Sequence, residues 1–124
     1  MLSSARLVAF VPTSDFDKAR AFYEGVLGLK FISQDGFALV MHSNETNIRI
    51  AKVGKFTPAQ FTILGWDMPD LASAVRALSG EGVTFERFPG IQQDELGIWT
   101  APSGAKVAWF KDPDGNILSL SQHD

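Results

Sequence analysis

The chain contains no cysteine, which rules out disulfides, a thiol nucleophile and thiolate metal ligands. Histidine is scarce as well: only His42 and His123 are present. No apolar run approaches the ~18 residues that a membrane-spanning helix needs, so no membrane partner is expected. Excess positive charge is also missing. Lys and Arg number 11 against 14 Asp and Glu, a net charge of −3, which argues against nucleic acid as a partner. The first residues, Met1 to Arg6, have neither the basic start nor the apolar stretch of a secretory signal, and a cytoplasmic location is expected. There is no phosphate-cradling glycine loop and no Ser-His-Asp arrangement on a strand-helix elbow. The acid-rich run Asp112–Asn116 lacks the spacing and final Glu of a calcium loop and is read as a turn.

What is present describes an ordinary globule: 124 residues, 45% hydrophobic and 20% charged, long enough for a core of its own. Leu7–Val11 reads as a strand, and Ser14 with Asp17 three residues on fits a capping box. From Asp15 to Leu27 the apolar positions Phe16, Ala19, Phe22, Tyr23, Val26 and Leu27 recur at helical spacing, and Gly28 is a natural stop. Leu29–Ser33 and Phe37–Met41 form a hairpin around Asp35-Gly36, and Thr46–Val53 supplies another strand. Lys55–Pro58 is a short polar linker.

The order then repeats. Phe61–Trp66 is a strand, Asp67 is a candidate cap, and Leu71, Ala74, Val75 and Leu78 share one helical stripe ended by Gly80 and Gly82. Val83–Arg87 reads as a strand and Pro89–Leu96 as a long loop before the closing strands. The last two strands flank Asp112–Asn116, where proline, glycine, Asp and Asn make a dense turn signal. Beyond that turn Ile117, Ser119 and Ser121 alternate with Leu118 and Leu120, so Ser119 points away from the greasy face. Val8 precedes Gly28 by 20 residues and Ile63 precedes Gly82 by 19, the mark of an internal repeat.

The paired modules, the segment Ala21–Phe31 and the late Asp112–Asn116 turn together resemble the vicinal oxygen chelate superfamily. That group includes glyoxalase I, extradiol dioxygenases and bleomycin-resistance proteins. The resemblance spans essentially the whole chain. It implies an α+β fold of two tandem βαβββ modules, residues about 5–54 and 60–122, whose cupped mixed sheets carry helices on the outer side. It also implies a homodimer. In metal-dependent members, His and Glu side chains on inner strands hold one divalent ion. Carried over residue by residue, those positions fall at Val8, Arg49, Ile63 and Ser119. Val and Ile have no donor atoms, Arg is a permanent cation and a neutral Ser hydroxyl is a poor ligand alone. Neither His42 nor His123 falls on an inner strand in this register. No metal site and no cofactor are therefore expected.

Arg49 places a planar fork of donors where the resemblance expects a carboxylate, which suits an anionic or carbonyl-bearing ligand. The bland alternative is an arginine whose stem covers apolar surface while its head pairs with an acid or water. By alternation Phe10 joins Val8, and Phe61 joins Ile63, on the inner face, while Trp66 lies opposite. Trp99 and Trp109 are further aromatic candidates; Trp99 follows the long loop, read as a mouth or lid. Asp94 and Glu95 in that loop are candidate bases or solvated charges. The expected ligand-binding set is Val8, Phe10, Arg49, Phe61, Ile63, Trp99 and Ser119, holding a small organic molecule in the cup, without metal. No catalytic residue is assigned. The alternatives are a lyase or isomerase of the glyoxalase type with a non-standard or absent metal site, and a structural or regulatory partner with a vestigial cup.

Overall fold

The computed structural model describes residues 1–123, which fall into two units, Met1–Thr57 and a second beginning at Pro58. The first unit opens with a turn of 3-10 helix at Leu2–Ser4 and the strand β1 (Val8–Thr13). The short helix α1 (Phe16–Arg20) follows. Its N-cap is Asp15, not Ser14: the Asp15 carboxylate accepts the Lys18 backbone N–H at 3.1 Å. The expected helix to Leu27 is not uniform. After Arg20 the coil widens into a π-helical segment, Ala21–Val26, with the Leu27 N–H donating to the Phe22 carbonyl at 2.9 Å. Alone such a short helix is unstable in water, so packing must hold it. Tyr23 is fully buried against the edge of Phe22, and Arg20 lies 3.6 Å over the Phe31 ring while bonding Glu24 at 2.8 Å.

The strands β2 (Lys30–Gln34), β3 (Ala38–Ser43) and β4 (Thr46–Lys52) complete a four-stranded sheet in the order β1-β4-β3-β2. β1 runs parallel to β4 and the rest are antiparallel. Strand alternation separates its two faces. Val11, Leu39, Met41, Ile48 and Ile50 are buried on the core face, the face that Phe31 and the helical turn occupy. The opposite face is open. It carries the cross-strand rows Val8–Asn47–His42 and Phe10–Arg49–Val40.

The second unit repeats the plan with β5 (Thr62–Asp67), α2 (Leu71–Gly80), β6 (Trp99–Thr100), β7 (Lys106–Lys111) and β8 (Ile117–Gln122). Its sheet order is β5-β8-β7-β6, with β5 parallel to β8. α2 packs on β7 and β8, burying Leu71 and Val75 with Ala108, Phe110, Leu118 and Leu120. The fold is thus α+β, two four-stranded mixed sheets each with a helix. No described helix is long and apolar enough to cross a membrane.

The stretch Val83–Arg87 is not the expected strand: one isolated bridge joins Phe85 to Phe110. The backbone groups beside it find other partners, the Glu86 N–H on the Trp109 carbonyl and the Glu86 carbonyl on the Gln93 side chain. The cap of α2 is Asp70 rather than Asp67. Its carboxylate accepts the Ser73 hydroxyl at 2.8 Å and the Ser73 N–H at 3.2 Å.

Those two bonds, the hydroxyl first, hold the Asp70 carboxyl below its ordinary value of 3.8. A carboxyl depressed in the folded state contributes stability that is present above its unfolded value and lost as pH falls through the folded one. Melting temperatures measured from about pH 5 to about pH 2 should therefore fall more steeply for the natural protein than for Asp70→Asn, whose cap does not titrate. Parallel pH curves would contradict this assignment.

Candidate functional site

On the open face of the first sheet, Phe10, not Val8, is the β1 residue directly beside Arg49. Phe10 is 65% exposed and Val8 39%, so both apolar side chains stand on that face uncovered. Arg49 is half-buried, and its guanidinium makes no hydrogen bond or ion pair among the described residues. Its charge is felt at Asp35. That carboxyl is held below its ordinary value chiefly by the Phe37 and Ala38 backbone N–H groups, with Arg49 adding a smaller pull.

His42 is misplaced by the sequence reading. It lies on β3 opposite Asn47, and so on the same face as Val8 and Arg49. The Asn47 Oδ1 between Val8 and His42 is buried and has no hydrogen-bond partner among the described residues. A hollow of about 470 Å³ near that end is lined in part by Arg6, His42, Asn44 and Glu45. His123 follows β8, with its Nε2 3.2 Å from the Ser121 hydroxyl.

In the second unit the register places Gly65, not Ile63, beside Ser119, because it slips between Thr62 and Leu64 and leaves Ile63 without a partner. Phe61 stands one residue ahead of β5 and is 68% exposed. Ser119 is flanked on its other side by Trp109, and Trp99 stands in the next row with Val107 and Ser121. Trp66 pairs with buried Leu120 on the core face, as alternation requires.

Three rings meet on the open face. Phe88 packs edge-on to Trp109 at 5.4 Å, and Trp99 lies 6.2 Å from Trp109. Trp109 and Phe88 were not in the expected ligand set. Trp109 has a legible signal, since it sits two residues from Val107 in a strand facing Ser119, but Phe88 has none. The Ser119 hydroxyl makes no hydrogen bond among the described residues.

The Pro89–Leu96 loop is pinned rather than free. The Gln93 side chain accepts the Phe88 N–H and donates to the Glu86 and Gly97 carbonyls, at 2.8, 2.9 and 2.8 Å. Arg87 donates to the Gln93 and Glu95 carbonyls. The Asp94 carboxylate accepts the Leu96 and Ile98 N–H groups on one oxygen, which makes it a turn former. A hollow of about 480 Å³ beside this loop is lined by Gln92, Gln93, Asp94, Ile98, Trp99 and Thr100.

The metal of chelating relatives does not fit these residues. Val8 and Ile63 offer no donor, Arg49 is a cation, and Ser119 brings one neutral hydroxyl. Among the described residues no three His, Cys, Asp or Glu side chains gather to hold an ion.

Residues 6–120 match the Glyoxalase/Bleomycin resistance protein/Dioxygenase superfamily, and the chain belongs to it. Within that superfamily it is 29% identical over 117 residues to the bleomycin resistance protein of Klebsiella pneumoniae, across 92% of this chain and 89% of that one. Its fold is similar to that of TnmS3, an antibiotic binding protein from Streptomyces sp. CB03234, with a TM-score of 0.71 and 26% identity over 100% and 99% of the two chains. It also superposes on lactoylglutathione lyase from Agrobacterium tumefaciens, with a TM-score of 0.75 but only 16% identity over 96% and 93% of the chains, a likeness of fold alone.

Proposed function

We propose that this protein is a metal-independent small-molecule-binding protein, taking an organic ligand on the open faces of its sheets. One observation carries the reading: two polar groups without a hydrogen-bond partner among the described residues stand beside aromatic side chains, Arg49 beside the exposed Phe10 and Ser119 beside the half-buried Trp109. Half-buried polar groups left unpaired cost free energy that a ligand's own groups recover. An apolar surface with a few convergent polar groups is what a small-molecule site needs. The bleomycin resistance protein and the antibiotic-binding TnmS3 support the same reading. The seven residues Val8, Phe10, Arg49, Phe61, Ile63, Trp99 and Ser119 belong to these faces in the proposal, joined now by Trp109.

The protein acts in the cytoplasm as a homodimer in this reading. The exposed apolar side chains of Leu7, Phe10 and Phe61 favour a covering copy. The test is a titration with bleomycin followed by tryptophan fluorescence, with and without EDTA. Saturable quenching with a Kd unchanged by chelator within about twofold is the expected result. Binding abolished by EDTA, or a metal ion retained after dialysis, would overturn metal independence. Turnover of a hemithioacetal that chelator removes would favour a lyase instead.

A further inference from the structure

A glycine inside a strand weakens it, and often marks a place where a ligand or another backbone comes close. Gly65 is such a residue in β5, and it is exposed. A Cβ placed there would lie 2.8 Å from the Ser119 hydroxyl and 3.3 Å from the Ser119 carbonyl oxygen. Ser119 thus leans into the side-chain space that the glycine leaves, and its hydroxyl lies low against bare backbone. Trp109 is the next residue in the row. The row Gly65–Ser119–Trp109 therefore presents a flat backbone surface, one hydroxyl without a hydrogen-bond partner among the described residues, one indole, and no charge.

We infer that this row seats a flat, uncharged ring system bearing a carbonyl or hydroxyl on its edge, and that Gly65 decides which ligands fit. The inference rests on the small-molecule reading above and names the ligand class for one of its faces. The ring lies over the Gly65 backbone, its edge group bonds the Ser119 hydroxyl, which can donate or accept, and its apolar surface meets Trp109. Any side chain at position 65 fills the seat and displaces the hydroxyl together.

The flat, uncharged dye Nile red serves as the probe, with its emission followed as protein is added. The natural protein is expected to bind it saturably, and Trp109→Ala to lose most of that binding. Gly65→Ala should weaken it about tenfold, the scale on which one methyl group counts in a tight site. Circular dichroism checks the fold of each variant. Should Gly65→Ala fold poorly, the double change Gly65→Ala/Ser119→Ala removes the crowded hydroxyl while still filling the seat, and it should bind about tenfold more weakly than Ser119→Ala alone. If Trp109→Ala loses binding while Gly65→Ala stays within about twofold of the natural protein, or the double variant within about twofold of Ser119→Ala, the small-molecule reading stands and the role of Gly65 falls. If the natural protein does not bind the dye, or Trp109→Ala binds it equally well, the seat itself is overturned.

Discussion

Replacing Asp112 by alanine is expected to destabilise the second unit by about 3–4 kcal/mol, the largest effect of any single change considered. Asp112 is 6% exposed, and its carboxylate accepts at least three hydrogen bonds. They come from the Asp114 N–H at 3.0 Å, the Asn116 N–H at 2.9 Å and the Asn116 side-chain amide at 2.8 Å. Asn116 is itself buried, so truncation strands donors that water cannot reach. Bonds to an ionised acceptor are worth about 1.5–3 kcal/mol each but do not add in full, hence the figure. Gly115, with φ of 88°, closes the turn in the left-handed region, and its N–H donates to the Asp112 carbonyl at 3.0 Å. Urea unfolding followed by tryptophan fluorescence measures the change, because Trp66, Trp99 and Trp109 all lie in this unit. Asp112→Asn should fall between the two, since its amide restores acceptors for the backbone donors but faces the Asn116 amide with a like donor. An alanine variant within about 1 kcal/mol of the natural protein would contradict this account.

The second large effect concerns binding. Arg49→Ala is expected to weaken capture of an organic anion, probed with 8-anilinonaphthalene-1-sulfonate, by about 10- to 100-fold, the worth of one or two charge-assisted hydrogen bonds. Because the Arg49 guanidinium makes no hydrogen bond or ion pair among the described residues, thermal stability should barely change. Added salt should weaken the natural protein's binding and leave the variant's almost unaffected. Arg49→Lys keeps the charge but not the planar fork, so it should recover only part of the loss. Equal affinity in all three proteins would remove Arg49 from the proposed set.

Much of this was legible in the chain. The apolar-polar-apolar triplets Ile48-Arg49-Ile50 and Leu118-Ser119-Leu120 identified the two polar residues that leave the core faces, since strand period alone decides that. The Asp112–Asn116 turn was equally plain, because each of its residues favours turning for a separate physical reason.

What failed depended on pairing. Val83–Arg87 has strand-like residues, yet the Gln93 side chain takes the Glu86 carbonyl and the Phe88 N–H that a neighbouring strand would otherwise use. The face of His42 follows from its pairing with Asn47, and β2 bulges beside it between Phe31 and Ser33, so no count along one strand reveals it. Ser14 and Asp15 are both competent caps one residue apart, and only the extended backbone of Asp15 decides between them. The open-face partner Gly65 was missed for a related reason: the chelating pattern pointed to Ile63, two positions earlier in the strand, and the register slip after Thr62 is invisible in the residues themselves.

The slip at Ile63 also bears on how far the two halves can be exchanged. β1 pairs with β4 through an unbroken run from Val8 to Thr13, whereas β5 loses a step before Leu64. A chimera with the first strand grafted in place of the sixty-second to sixty-seventh residues would keep the hydrophobic alternation but not the skipped residue. The residues N-terminal to the missing step, Val8 and Ala9 of the graft, would then turn over and exchange faces. The halves are alike in plan, but their strands are not spare parts for one another.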